Sequence, residues 1–425
     1  MATGTESLAT FAEFLKILHV EDTITDAMSD NIVAYGELRR RGQIKKFEGR
    51  ELRYPVKKAR QFGVGWTQNN APNLPAATVS DALEPVWNAK NVYAVGEIND
   101  EVIEDSMTSN ASYERALEMI REDLMLSQRQ VINAAVYDDG RARIGDTSGA
   151  SNANPIQLRQ PIYMFIGQMF DLIDLTDNST RLLDDREVTD VDHIAATVDY
   201  SGATVAGTAA GDYATQHNTI GTGGEQRAIH GFRSGCLAAN PPLENYGGVD
   251  RTVAGNTVYQ GSVFGTSGAN TPITELLIQG DINAVRRRSN FRLRDMLLWT
   301  NWNVVAQWFD ELVKDRQLVV RGAEAMKLAG GFDTGSGDNG AIVGKFNGVH
   351  DILADENSHF GMIFYLQFGT WRIYETHPPE LIQRDGNVLH RYENRGAYQF
   401  RSLWRAAQFT TAPSANGFRQ GVAES

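Results

Sequence analysis

Asp333-Thr334-Gly335-Ser336 has the residue pattern of an aspartic-protease catalytic loop. That chemistry needs two carboxylates close enough to share one proton. The chain holds no second Asp-Thr-Gly or Asp-Ser-Gly, so a homodimer would have to supply it. The flank from Leu328 to Phe332 is loop-like where a hydrophobic strand is needed, and the expectation is a surface turn. Gly335, Gly337 and Gly340 also satisfy the dinucleotide-binding spacing G-x-G-x-x-G. That spacing has meaning only between a strand and a helix whose N-terminus holds the pyrophosphate. Ala341 to Gly348 contains two further glycines and makes a poor helix, so the match carries no function.

The eight histidines (His19, His193, His217, His230, His350, His359, His377 and His390) include no H-E-x-x-H and no other close ligand pair. Cys236, the only cysteine, supports neither a cysteine-type zinc site nor an intramolecular disulfide. It could serve as a nucleophile beside a distant histidine, but a buried, inert thiol is the expectation. Gly265-Thr266-Ser267-Gly268 lacks the spacing of a nucleophile elbow, and there is no phosphate-cradling P-loop. The reading is a non-enzyme with no cofactor, metal or catalytic residue.

A chain of 425 residues, 42% hydrophobic and 22% charged, has room for two or three domains and a sizeable core. Its net charge of −13 argues against a protein whose main task is coating nucleic acid. Leu8, Phe11, Leu15 and Leu18 give the N-terminus an amphipathic helical spacing, with no signal-peptide pattern. Ile162 to Phe170 is too short to cross a bilayer. The protein reads as soluble and cytosolic when made, with no membrane partner.

Two charge blocks lie side by side. Arg39 to Arg60 carries ten basic residues against Glu48 and Glu51. Strand-like pieces Glu51 to Val56 and Gln61 to Trp66 follow, then the loop-rich Asn69 to Pro75. Arg39 to Leu83 has too few large apolar residues for a core of its own, so it must lie on something, and another subunit would serve. Asp81 to Asp123 is the reverse, with eleven acidic residues against Lys90, Arg115 and Arg121. A basic arm beside an acidic body suits head-to-tail packing, although two merely solvated faces would give the same pattern. The basic run has only Phe47 and Tyr54 for base stacking, so DNA contact would be non-specific and salt-sensitive.

The elements can be placed by periodicity. Val86 to Ile98 reads as a strand and Ser112 to Tyr137 as a long helix, capped near Asn110 or Ser112 and stopped at Gly140. A helix is expected over Leu158 to Leu175, and exposed loop or strand-and-turn structure over Tyr200 to Gly224. Pro272 to Arg288 reads as a helix, Met296 to Trp299 as a buried strand and Trp302 to Val313 as a helix. Strands are expected at Gly361 to Phe368, Trp371 to Glu375, Val388 to Glu393 and Tyr398 to Phe409. The class is α+β.

This order resembles the capsid fold of tailed phages, the Hong Kong 97 type. Tyr246-Gly247-Gly248-Val249-Asp250-Arg251 looks like a Tyr-Gly-Gly-Ile-Asp-Arg pattern of such proteins, and the helix, buried strand, helix passage over 272–313 is similar to theirs. So are the closing stretches Trp371-Arg372-Ile373-Tyr374-Glu375, Tyr392-Glu393 and Arg401 to Phe409. The resemblance implies an N-terminal arm at 1–38 and an extended loop at 39–84. It implies the peripheral strand and spine helix at 85–144, and the remaining peripheral and axial domains at 246–425. Residues 145–245 would be an insertion or axial lobe. Some members weld subunits through a Lys–Asn isopeptide bond; Lys57 and Lys58 lie in the corresponding loop, but no partner Asn or catalytic Glu is identified.

The expectation is a major capsid protein forming pentamers and hexamers of an icosahedral virion shell, assembled in the host cytoplasm. No long charged helical segment precedes the arm, which implies a separate scaffolding protein. Portal protein, a decoration protein and packaged double-stranded DNA complete the expected partners. Intersubunit contacts are expected from Arg39, Arg40, Arg41, Arg53, Lys57, Lys58, Arg60 and Trp66 on the arm side. Glu97, Glu101, Glu104 and Asp105 would form the acidic side. The rivals are an encapsulin-type nanocompartment shell, an aspartic-type hydrolase using Asp333, and a tail or decoration protein.

Overall fold

Met296–Thr300 is apolar at every position but the last, and a strand without polar alternation must be covered on both faces. It lies inside a six-stranded mixed sheet in the order Ser262–Phe264, Gly417–Arg419, Ile363–Gln367, Met296–Thr300, His350–Ala354, Ile342–Phe346. The computed structural model describes residues 33–41, 43–49, 51–59, 61, 64, 76, 79–99, 110–149, 154–159, 164–178, 180–205, 207–221, 224–289, 296–315, 342–346, 350–383, 390–391 and 396–423. On one face of this inner sheet, Met296, Leu298, Ile352 and Tyr365 pack with Ile278, Ile282 and Val285 of the Glu275–Arg288 helix. Val304, Val305 and Trp308 of the Trp302–Asp315 helix join them. Both helices and the strand between them fall where the apolar spacing predicts.

The other face, through Leu297, Trp299, Phe364 and Leu366, meets the long helix Asn110–Tyr137 and a second, outer sheet. At about 1.5 Å per residue the helix is about 40 Å long. Ile132, Ala135, Val136 and Tyr137 wedge its last turns between the sheets, against Trp371, Ile373 and Trp404. The outer sheet runs Ile44–Lys46, Trp371–Leu381, Ala397–Thr410, Lys90–Asn99, with His390–Arg391 continuing beside Ala397–Thr410. The helix Val33–Arg40 docks in the same core. Asn133 Oδ1 accepts its Ala34 N–H at 3.1 Å, and the Tyr35 hydroxyl donates to Glu375 at 2.7 Å.

A third sheet forms a lobe with its own core of Ile144, Phe170, Leu172, Leu183, Val188, Val198 and Tyr200. Its order is Arg143–Asp146, Tyr213–Gln216, Met169–Ile173, Arg181–Asp192, Thr197–Tyr200, Ile156–Gln157, antiparallel throughout. The first and last strands also meet. Thr147 bridges Leu158, and the Arg159 N–H donates to the Asp146 carbonyl at 2.7 Å. The sheet thus closes on itself as a small barrel.

Two expectations are corrected here. The helix expected over Leu158 to Leu175 is not formed: Leu158 sits in a bridge and Met169–Ile173 is a strand. Phe170 and Leu172 face the barrel core, while Asp171 and Ile173 are also buried on the other side. A short run covered on both faces has no period-2 signature and cannot be told from a buried helix by pattern. The single strand expected over Val86 to Ile98 is two, Val86–Asn88 and Lys90–Asn99, paired to different partners.

Candidate functional site

The charged excursion between the Ile44–Lys46 and Lys90–Asn99 strands is an antiparallel ribbon. Glu51–Arg53 pairs with Val86–Asn88, and Val56–Ala59 with Asp81–Leu83. Such a two-stranded ribbon is marginal by itself, so its base needs an anchor. Trp87 provides one: its ring stacks on Phe409 at 5.1 Å and meets Tyr246 edge-on at 4.4 Å. Phe409 in turn stacks on Tyr374 at 5.6 Å, and Leu52, Val56 and Leu83 lie against the same cluster.

The Tyr246 to Arg251 motif builds the wall that receives Trp87. The buried Tyr246 hydroxyl accepts the Thr410 N–H at 2.9 Å, tying the motif to the outer sheet. Gly247 has φ +63°, and a Cβ there would lie 2.8 Å from both Pro85 Cβ and Trp87 Cζ2. Gly248 has φ +72° with open space around it. Asp250 Oδ1 accepts from Asn240, the Thr252 N–H and the Thr252 hydroxyl, fixing the turn. Arg251 is fully buried; its guanidinium lies 4.2 Å from the Tyr246 ring centre and donates to the Ser234 and Leu237 carbonyls at 2.8 and 2.9 Å. Those carbonyls belong to the end of the short helix Phe232–Cys236 and the residue after it.

The two glycines separate steric from conformational cost. Gly248→Ala should cost about 1 kcal/mol for the left-handed backbone alone. Gly247→Ala should add roughly 1–3 kcal/mol of overpacking against Trp87. Urea midpoints of the two variants check this, and equal midpoints would contradict the close approach.

His230 closes the anchor from the side, 5.5 Å from Trp87 and 5.3 Å from Tyr246, with Nδ1 2.8 Å from Ser234 Oγ. Burial, with Lys90 and Arg251 nearby, holds its pKa down to about 3. Its stabilising contribution is therefore present above about pH 6.5 and lost as pH falls. Asp355 works the other way. Burial pushes its carboxyl up to about 6, although Tyr137 and the Asn357 N–H donate to it. A raised folded-state value favours the protonated form, so that contribution is present below about pH 4 and lost as pH rises to 6. Across pH 4 to 6 the two slopes oppose. Asp355→Asn should remove a loss of about 3 kcal/mol and leave stability rising more steeply with pH than in the parent. Urea unfolding at a series of pH values reads this directly; superimposable profiles would refute it.

The ribbon candidates are distributed as follows. Arg39 and Arg40 are exposed at the end of the first helix, and Arg40 pairs with its own Glu37 at 2.7 Å. Arg41 pairs with Glu37 at 3.1 Å and Asp351 at 3.7 Å. These three sit on the body, before the ribbon begins. Arg53 lies near Glu51 and Glu84, and Lys58 near Asp81, in exposed pairs worth at most about 1 kcal/mol each. Lys57 is exposed, and so are the apolar Val64 and Val79. Glu97 lies in the outer sheet opposite Gln399. Arg60, Trp66, Glu101, Glu104, Asp105 and the Asp333 motif lie outside the described residues.

Cys236 is buried, and burial raises its thiol pKa far above the range of a nucleophile. Sequence reading missed one titratable cluster. Asp171, Asp184 and His217 converge in the lobe, with His217 Nδ1 2.8 Å from Asp171. Arg181 pairs with both carboxylates there, which neutralises the group from within. A spacing of 46 residues between Asp171 and His217 leaves no local signal.

The chain's architecture matches a solved structure. The capsid asymmetric unit of cyanophage A-1(L) aligns over 95% of this chain and 96% of its own, with TM-score 0.55 and 10% identity. The chain has a phage capsid fold. That is the Hong Kong 97-type α+β architecture which the resemblance in sequence implied. An empty GTA particle capsid aligns at TM-score 0.46 and 11% identity over 98% and 99% of the two chains. A structure from Mycobacterium phage Patience aligns at 0.45 and 10% over 93% and 86%. No protein-family model matches the sequence, and no curated protein matches it.

Proposed function

We propose that the chain is the major capsid protein of a tailed double-stranded DNA phage, a structural subunit that builds pentamers and hexamers of an icosahedral shell. The observation that carries this is agreement with the cyanophage capsid fold over nearly the whole of both chains. The ribbon supports it independently. Its base is locked by Trp87, while Arg53, Lys57, Val64 and Val79 stay exposed for a partner to cover. Residues 1–38 would act as the arm, the ribbon within 39–84 as the extended loop and 85–144 as the peripheral strand and spine helix. Residues 145–245, which hold most of the barrel, would be an inserted lobe, with 246–425 completing the peripheral and axial domains.

In this reading the basic ribbon lies on a neighbour's acidic face around Glu97, Glu101, Glu104 and Asp105, and Arg60 and Trp66 extend the contact. Obligate interfaces of this class bury thousands of Å², enough to order a segment with no core. Scaffolding, portal and decoration proteins would be its partners, with DNA held without sequence preference. Assembly would take place in the host cytoplasm and the product would be the virion shell. Negative-stain electron microscopy of the protein, alone and with its scaffold, tests the proposal. Uniform closed shells, or rings that close once scaffold is added, are expected. A persistent monomer, a tube or a small trimer under both conditions would overturn it.

A further inference from the structure

A cavity of about 490 Å³ opens where the lobe meets the inner sheet, lined by Arg143, Asp146, Arg159, Arg233 and His359 together with loops at 267–270 and 420–422. Its charged lining is unevenly satisfied. The Arg143 side chain is only 6% exposed; Nε donates to Asp138 Oδ1 at 3.1 Å and Nη1 to Asp146 at 3.2 Å. Its Nη2 is buried and carries no hydrogen bond among the described residues. Arg233 approaches Asp139 at 3.5 Å through Nε, while its buried Nη1 also lacks a hydrogen bond among them. Arg159 stands exposed at the same cavity.

The carboxylates nearby are already committed. Asp138 receives Arg143 and faces His359 at 3.5 Å, Asp139 receives Arg141 in a two-point contact, and Asp146 holds Arg143 Nη1. A buried guanidinium nitrogen without an acceptor is costly. Water could accept from it, but three guanidiniums around one void favour a charged guest. Their planar forks match a tetrahedral oxyanion better than a chloride ion.

We propose that this cavity is a binding site for a small phosphate or phosphomonoester anion, held by Arg143, Arg159 and Arg233. Arg143 and Arg159 come from the barrel and Arg233 from the body, so the anion bridges the two. The site is independent of the assembly proposed above.

The test uses the full-length chain and inorganic phosphate, titrated at constant ionic strength against chloride and followed by phosphorus NMR line width and by melting temperature. Saturable broadening and a rise in melting temperature with phosphate but not chloride are expected. Arg143→Gln risks misfolding, because Asp138 would lose its partner. Arg159→Gln, at an exposed position, and Arg233→Gln should each weaken binding roughly ten- to a hundred-fold, as loss of one charge-assisted contact implies. Equal responses to phosphate and chloride, or full phosphate affinity in both variants, would overturn the site. So would binding of a short DNA duplex with none of free phosphate.

Discussion

Arg251→Met is expected to lower the unfolding free energy by roughly 2–5 kcal/mol, because several buried carbonyls lose a donor at about 1–3 kcal/mol each. Among the described residues Arg251 has no carboxylate partner; burial is the leading influence on it and lowers its pKa. What stabilises its charge is a set of carbonyls, those of Ser234, Leu237, Gly235 and Ala239, and the faces of Tyr246 and Tyr259. Methionine retains much of the volume but leaves those carbonyls without donors. Lysine restores the charge but not the fork, so Arg251→Lys should recover only part of the loss. Urea titration of the unassembled subunit measures both, and a methionine variant within about 1 kcal/mol of the parent would show that the carbonyls do not depend on the guanidinium.

Truncating the ribbon should have the opposite signature, with folding kept and assembly lost. Lys57 pairs with Ala82, so replacing residues 58–81 by Asn-Gly closes the ribbon as a tight hairpin at that pair. Trp87 and its aromatic cluster remain, and subunit stability should stay within about 1 kcal/mol of the parent. Closed shells counted by electron microscopy should fall by at least roughly tenfold, because each lost contact recurs at every copy of a symmetric interface. Normal shells from the truncated chain would exclude the ribbon as a clamp. Arg251→Met, by comparison, should lose stability first and shells only as a consequence.

Local pattern revealed the parts of this fold where one segment's burial is simple. Met296–Thr300 announces itself as an unbroken apolar strand, and the Asn110–Tyr137 helix by its 3.6-residue stripe. The barrel did not announce itself, because strands such as Met169–Ile173 are covered on both sides and its closure depends on Thr147 meeting Leu158. The Tyr246 to Arg251 motif was legible as a string, but its role was not. Trp87, Phe409 and Thr410 reach it from far along the chain, and only the fold brings them together. Charge pattern likewise found the ribbon but placed Arg39 to Arg41 on it, whereas Arg40 and Arg41 are engaged by Glu37 on the preceding helix.

The barrel enters and leaves the body through neighbouring strands, since Arg143 lies opposite Thr215. Its core is its own, and the turn at 193–196 carries Ile194, which is completely exposed. A unit whose two ends meet behaves like a cartridge: evolution can lengthen, shorten or exchange it while the two sheets beneath keep their register. The same geometry makes the 193–196 turn a natural splice point for foreign peptides, displayed once per subunit at no cost to the long helix or its core.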